Sequence, residues 1–254
     1  MLSPAAQKII NDYLSLPFEQ VQSVSCPYYN NKRQVLRGGL RAGVGKGSPD
    51  DIVEEALIQS LHDKKNLNTM TDEEIKKFLV DHHLGVDCSA FVYYILDAEL
   101  KSLSKGSIKK YLHFPYIKNP LRHLLTKLRT AENTDVKTLA HARNSNQVEL
   151  KNVQPGDFVV LLGGGREHER DHIIIITDVK KENNVPVTLE YAHSDEWPSD
   201  GRYNHGVRIG TMRINNVNGS ILDQPWSERK DANVNELFKQ AGYSVGLHRL
   251  NALN

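Results

Sequence analysis

The sequence predicts an α+β protein in which N-terminal helices pack on an antiparallel β-sheet. Helical patterns fill most of the chain up to residue 100, whereas strand patterns joined by short turns begin near residue 156. Helices that precede strands, instead of alternating with them, are typical of this class. We expect an N-terminal helical region at residues 1–83 and a second region at 84–254, with a helical insertion at about 101–150, to form one compact unit.

Composition excludes several classes of protein. Of the 254 residues, 39% are hydrophobic and 25% are charged, as in ordinary globular domains. The net charge of +1 gives no electrostatic basis for binding nucleic acid or an anionic membrane. Two cysteines, Cys26 and Cys88, cannot form a disulfide framework. Neither a secretory signal nor a membrane span is visible, so a cytoplasmic location is expected unless a nonclassical route exports the protein. The oligomeric state stays open.

Capping signals mark the first helices. Residues 1–20 have an amphipathic helical pattern. Ser48 is a predicted N-cap that precedes Pro49 at the first helical position. Thr71 and Glu74 have the spacing of a capping box and predict the start of another helix.

A further helix is predicted over residues 88–100. Its apolar residues recur at helical spacing, which places the first of them on the buried side of the first turn: Cys88, Phe91, Val92, Ile95 and Leu96. The lysine-rich segment that follows is interrupted by Pro115 and Pro120 and predicts short helices and loops.

The last hundred or so residues contain five strand patterns. They are "GDFVVLLG", "DHIIIITDV", "VPVTLEYAH", "HGVRIGTMRI" and "YSVGLHRL", and one helix, "NVNELFKQAG", precedes the last of them. The second and third strands form a predicted hairpin. A turn centred between Glu182 and Asn183 would place His172 directly opposite His193, with Cβ atoms roughly 5 Å apart.

This arrangement suits nucleophilic catalysis. A cysteine attacks as a thiolate, and both a helix N-terminus and a nearby imidazole favour that form. We expect Cys88 to begin a helix, one histidine to take its proton, and the other to orient the first. The alternative for Cys88 is a small residue of the hydrophobic core.

Other segments offer weaker chemistry. His168 and His172 have the i, i+4 spacing of some zinc sites, but His172 begins a strand, so a metal is not expected. The segment "GGGREHERD" is interpreted as a loop beside the site. The segment "HSDEWPSDGRYNHG" is interpreted as either a lining of the substrate groove or a surface loop.

Four segments resemble motifs of a known family. "GVDCSAFV" resembles the start of the nucleophile helix in NlpC-type cysteine peptidases, papain-like enzymes of bacterial cell-wall turnover. "VQPGDFVVL" resembles their first core strand, "DHIIIITDV" the strand that begins with the general base, and "LEYAHS" the strand that carries the third polar residue. The resemblance covers residues 84–100 and 153–195 and implies a papain-like fold for the region 84–254.

The resemblance implies a role for seven residues. Cys88 would be the nucleophile, His172 the base and His193 the orienting residue. Asp87 and Ser89 would help to hold the substrate, and Tyr28 or Tyr29 would border the active site. The alternative for the two tyrosines is that they anchor a turn beside Pro27. Ala90 stands where the family commonly has glycine, and the insertion lengthens the span between nucleophile and base.

The expected function is therefore hydrolysis of an amide or peptide bond through an acyl-enzyme, without a cofactor. A peptide derived from peptidoglycan is the first expected substrate, and another peptide or amide is the alternative. Two further alternatives are a transglutaminase-like or other acyl-transfer enzyme and a non-catalytic binding module on the same fold.

Overall fold

The computed structural model describes residues 1–19, 23–31, 41–229 and 231–254. The α-helices in these ranges are α1 (Pro4–Leu14), α2 (Pro49–His62), α3 (Asp72–Asp81), α4 (Cys88–Ser102), α5 (Pro120–Leu128), α6 (Thr130–Asn133), α7 (Val136–Ala140) and α8 (Asn235–Gln240). The strands are β1 (Ser145–Gln147), β2 (Phe158–Gly164), β3 (Arg170–Glu182), β4 (Val185–Asp195), β5 (Gly206–Arg213), β6 (Trp226–Glu228), β7 (Asp231–Ala232) and β8 (Ser244–Leu250).

The strands form one sheet in the order β1-β8-β2-β3-β4-β5-β6-β7, and every neighbouring pair is antiparallel. The predicted α+β class with an antiparallel sheet is confirmed, and so are the five predicted strands. Strands β1, β6 and β7 were not predicted, because two or three residues are too few to show an alternating pattern.

The predicted caps are present at the helix N-termini. Ser48 accepts a hydrogen bond from the backbone N–H of Asp51, and Thr71 and Glu74 form a reciprocal capping box. Asp87 caps α4 by accepting from the Ala90 N–H at 2.7 Å. None of the helices in the described ranges has the length and apolar character that crossing a bilayer requires.

Both faces of the sheet are buried at the middle of β3, which explains the four consecutive isoleucines of this strand. Ile173 and Ile175 join the cluster that includes α1 and α4, whereas Ile174 and Ile176 join the opposite cluster with Trp226. A strand covered on both faces is a continuous apolar run instead of an alternating one. The first cluster contains residues of both predicted regions, 1–83 and 84–254, so they share one core.

The hairpin of β3 and β4 forms, but its register differs from the predicted one. The turn is the two-residue loop Asn183–Asn184, both with positive φ, and Glu182 pairs with Val185. Two left-handed residues give the tight turn that matches strand twist, and asparagine tolerates that conformation. The prediction that His172 lies directly opposite His193 is therefore wrong. The register is displaced by two residues, and a displacement of two keeps both side chains on the same face.

Candidate active site

Cys88 is the first residue of α4, and only 4% of its surface is exposed. The backbone N–H of Ile173, at the start of β3, hydrogen-bonds to its sulfur. The unpaired N–H groups of the first turn make this end of the helix partially positive, which favours an anion beside Cys88. The residue also lines a cavity of about 370 Å³, so it is accessible from one side.

Strands β3 and β4 both contact the chain segment that leads into α4. Ile173 follows His172 in sequence and binds the Cys88 sulfur through its N–H. Ser194 follows His193, and its hydroxyl donates to the carbonyl oxygen of Val86 at 2.8 Å. The pairing of β3 with β4 ends at Ile175 and Ala192, so the strand ends that carry the histidines separate where α4 begins.

The two histidines and a glutamate form a continuous hydrogen-bonded chain. Nε2 of His172 lies 2.8 Å from Nδ1 of His193, and Nε2 of His193 lies 2.8 Å from Oε1 of Glu228. All three residues are buried. Glu228 is the third member of this chain. Only the two histidines were predicted from the sequence.

The carboxylate determines which ring nitrogens carry protons. A carboxylate only accepts hydrogen bonds, so Nε2 of His193 must donate to Glu228. In a neutral ring Nδ1 of His193 is then an acceptor, and it receives the N–H of His172 Nε2. The remaining nitrogen, Nδ1 of His172, therefore has the free lone pair of a base. This order of protons is the one that removal of a thiol proton by His172 requires.

Glu228 is held as a carboxylate. Its Oε1 accepts the Tyr191 hydroxyl at 2.8 Å, and its Oε2 accepts the Trp197 indole N–H at 3.2 Å and lies 3.7 Å from the Arg208 guanidinium. Burial by itself would raise its pKa, but the interaction with His193, the Tyr191 hydroxyl and the charge of Arg208 outweigh it and lower the pKa to about 2. The glutamate is thus ionised at neutral pH.

Gly210 makes room for this arrangement on β5. It pairs with Tyr191 of β4 on one side and with Glu228 of β6 on the other. A Cβ at this position would lie only 2.3 Å from Cζ of Tyr191. The glycine therefore lets the Tyr191 ring cross β5 and reach the carboxylate.

Aromatic rings cover the histidines. The ring of Phe238 stacks on His172 at a centroid distance of 5.9 Å, and Trp197 packs against Phe238 at 5.1 Å. Excluding water from the hydrogen-bonded chain strengthens its electrostatic interactions.

The resting site holds a neutral thiol and a neutral imidazole. Burial, the Asp87 carboxylate and the Asp195 carboxylate raise the pKa of Cys88 well above its usual value. Burial lowers the pKa of His172 to about 4, against the opposing charge of Asp195. Among the described residues, no side-chain hydrogen bond joins Cys88 to His172, so proton transfer requires the two groups to approach each other as a substrate or another electrophile reacts with the sulfur.

The low pKa of His172 predicts acid sensitivity. In the unfolded chain this histidine gains a proton below about pH 6.5, whereas in the folded protein it stays neutral down to about pH 4. The unfolded state therefore binds more protons in this window, and the free energy of unfolding should fall as the pH drops from 6.5 to 4. The contribution of His172 is about 3 kcal/mol.

Urea unfolding of the wild type, His172→Asn and the exposed control His168→Asn at pH 7 and pH 4.5 measures this effect. His172→Asn should lose less stability on acidification than the other two proteins. An equal loss in all three would contradict the assignment.

A lysine occupies the polar environment around Asp87. The ammonium of Lys46 lies 2.7 Å from Oδ2 of Asp87 and donates to the Ser89 hydroxyl at 2.7 Å and to the Thr134 carbonyl at 2.8 Å. Oδ1 of Asp87 accepts from the Ser89 hydroxyl and the Ala90 N–H. Asp87 and Ser89, two of the predicted substrate-binding residues, thus bind other groups of the protein and fix the start of α4. Because they also line the Cys88 cavity, a role in binding substrate stays a prediction.

Lys46→Met should destabilise the fold. The Lys46 and Asp87 side chains are 11% and 8% exposed, and removing the lysine leaves a buried carboxylate without its counter-ion. The expected loss is about 3 kcal/mol in the free energy of unfolding. Lys109→Met, at an exposed position, is the matched control and should lose little. Similar losses in both variants would show that the ion pair is not important for stability.

Two cavities flank the site. The Cys88 cavity is also lined by residues 132–136 of the predicted insertion. A larger one, of about 830 Å³, is lined by Tyr28, Tyr29, Trp197 and Asp195, among others. Asn30 lines both, so the two cavities are adjacent, and together they are called the groove below.

The structure separates the two candidate tyrosines. Tyr28 forms a bridge with Val86, and burial, followed by the neighbouring Cys88, raises the pKa of its hydroxyl. Tyr29 stacks on His83 at 5.3 Å. Tyr28 is therefore the one beside the nucleophile, while Tyr29 lies further along the groove.

The i, i+4 pair considered for zinc does not form a site. His168 is exposed and has a positive φ, and its Nδ1 lies 2.7 Å from the Gly163 carbonyl oxygen. His172 is buried and bonded to His193. The segments "GGGREHERD" and "HSDEWPSDGRYNHG" do line the groove, the first through Glu169, Arg170 and Asp171 and the second through residues 195–197.

Comparisons of the chain with family profiles, with curated proteins and with solved structures found no match.

Proposed function

We propose that this protein is a papain-like cysteine hydrolase that cleaves an amide bond through an acyl-enzyme. The observation that carries the proposal is the chain from Glu228 through His193 to His172, whose proton order leaves a base at Nδ1 of His172. A hydrogen-bonded row that ends in a base, together with a cysteine at the first position of α4, provides the groups that nucleophilic catalysis needs.

The mechanism follows from these positions. Nδ1 of His172 accepts the thiol proton as the Cys88 sulfur attacks the carbonyl carbon. The backbone N–H of Cys88, at the positive end of α4, stabilises the resulting oxyanion. The His172 imidazolium then protonates the leaving amine, and the C–N bond breaks to give the thioester. Water, deprotonated by the same nitrogen, releases the acid and restores the thiol.

The groove supports a peptide as substrate. It has a small end at Cys88, where the charged lining residues are mostly acidic and include Asp135 and Asp171, and a larger end with aromatic rings. An acidic lining favours a substrate that carries an amine close to the scissile bond, as stem peptides of peptidoglycan do. The motif resemblance to NlpC-type peptidases supports the same substrate class.

Mass spectrometry of the protein mixed with muropeptides and a panel of synthetic peptide amides tests the proposal. The expected result is a product with a new carboxylate and a transient mass increase on the peptide that contains Cys88. If an added amine captures the acyl group in preference to water, the protein is an acyl-transfer enzyme. If substrates bind but neither product nor acyl-enzyme forms with any of them, the site belongs to a binding module.

A further inference from the structure

A second arrangement of potential ligands overlaps the histidine pair. One potential ligand atom each of His172, His193 and Asp195 lies within 4.8 Å of the other two. The His172–His193 separation is 2.8 Å, and the His172–Asp195 separation is 3.7 Å. Two imidazoles and one carboxylate are a donor set that suits Zn²⁺ and leaves a fourth coordination position open.

We propose that His172, His193 and Asp195 bind a divalent transition-metal ion, with Zn²⁺ as the preferred one, and that the ion reversibly blocks the base. Tetrahedral Zn²⁺ with ligands at about 2.0 Å needs donor atoms about 3.3 Å apart. The His172–His193 and His172–Asp195 separations lie on either side of that value, and the third pair lies within 4.8 Å, so side-chain adjustment is needed to complete the tetrahedral geometry.

A second observation supports the metal site: hydrogen bonds from residues outside the donor set already hold one of its ligands in place. A metal-bound histidine commonly donates its other N–H to a carboxylate, which orients the ring and strengthens it as a ligand. His193 does this already through the 2.8 Å bond from Nε2 to Glu228, and Tyr191 and Trp197 hold Glu228 in place. His193 is thus preorganised to present Nδ1 to an ion.

The site also has an entry route. Asp195 lines the larger cavity, and its side chain is 20% exposed, whereas both histidines are buried. An ion can therefore meet the carboxylate first and pass from it to the two rings.

Binding of the ion would inactivate His172 as a base, although the ring keeps its proton. Coordination uses the lone pair of His172 at Nε2, so the proton held there moves to Nδ1. The nitrogen that would take the Cys88 proton is then already protonated, and turnover stops until the ion leaves. This inhibitory effect rests on the proposed function, whereas the binding itself does not.

Calorimetric titration of ZnCl₂ into the full-length Cys88→Ala protein tests the site without the thiol and without catalysis. We expect one ion per chain. Asp195→Asn in this background changes a partly exposed side chain and should weaken binding by at least about tenfold. His193→Gln should do the same, and the exposed control His168→Asn should not. Thermal unfolding of each variant confirms that it is folded.

No binding, or unchanged affinity in both Asp195→Asn and His193→Gln, overturns the site. The inhibitory effect is tested on the active wild type with the same ion and a chelator. Turnover should stop at the concentration that fills the site and return on chelation, and full turnover with the site filled overturns the inhibition. A protein that binds Zn²⁺ but has no turnover on any substrate contradicts the proposed function and not the site.

Discussion

Replacing Cys88 with alanine is expected to abolish turnover, with a fall in kcat of at least roughly a thousandfold. The sulfur forms the covalent bond to substrate, and no other side chain in the row from Glu228 to His172 can replace it. The change removes a single buried atom, so the free energy of unfolding should fall by only about 1 kcal/mol.

Cys26→Ala is the matched control. Cys26 is also buried, its thiol contacts the Pro27 carbonyl oxygen at 3.4 Å, and burial raises its pKa to about 12. It lies outside the row of catalytic groups, so activity per folded molecule should be retained. Turnover that survives in Cys88→Ala and is lost in Cys26→Ala would mean that the wrong cysteine has been assigned.

Glu228→Gln should also cause a large loss, a reduction of kcat by roughly a hundredfold to ten-thousandfold. The amide is nearly the same size as the carboxylate but can present an N–H to Nε2 of His193. That hydrogen bond would reverse the proton order along the row, so Nδ1 of His172 would carry a proton. The defect should appear in kcat more than in KM, since Glu228 lies behind the histidines.

The control for this variant is Glu190→Gln, on an exposed part of β4, where the glutamate pairs with Lys180. Its kinetics should match the wild type. Full activity in Glu228→Gln would show that the carboxylate does not set the tautomers.

Within the row, His193→Ala should be less damaging than His172→Ala, because orientation contributes less than proton transfer.

The hairpin shows what could be predicted about the site from sequence. Strand alternation correctly put His172 and His193 on one face, because a register displacement of two residues leaves the facing unchanged. Their exact pairing was wrong, because it depended on which residues form the turn. The pair Asn183–Asn184 is a possible two-residue turn, and its preference for positive φ was the signal that could have located it.

Glu228 and Lys46 could not be found in the same way. Glu228 lies in the three-residue strand β6 and reaches His193 across β5, past Gly210. Lys46 reaches Asp87 from a loop far away in sequence. Neither has a local pattern, since each position depends on how separate segments pack. The Asp-Cys-Ser motif could be recognised, but its engagement by an internal ammonium could not.

The most direct test of the site is the rate at which Cys88 reacts with iodoacetamide, followed by peptide mass spectrometry with Cys26 as the internal reference. The account predicts that Cys88 of the wild type is alkylated much faster than Cys26, even at mildly acidic pH, since His172 removes the thiol proton during the reaction. His172→Asn and Glu228→Gln should both slow Cys88 and leave Cys26 unchanged. Equal and slow labelling of the two cysteines in all three proteins would contradict the account, because it would mean that no base acts on the Cys88 sulfur.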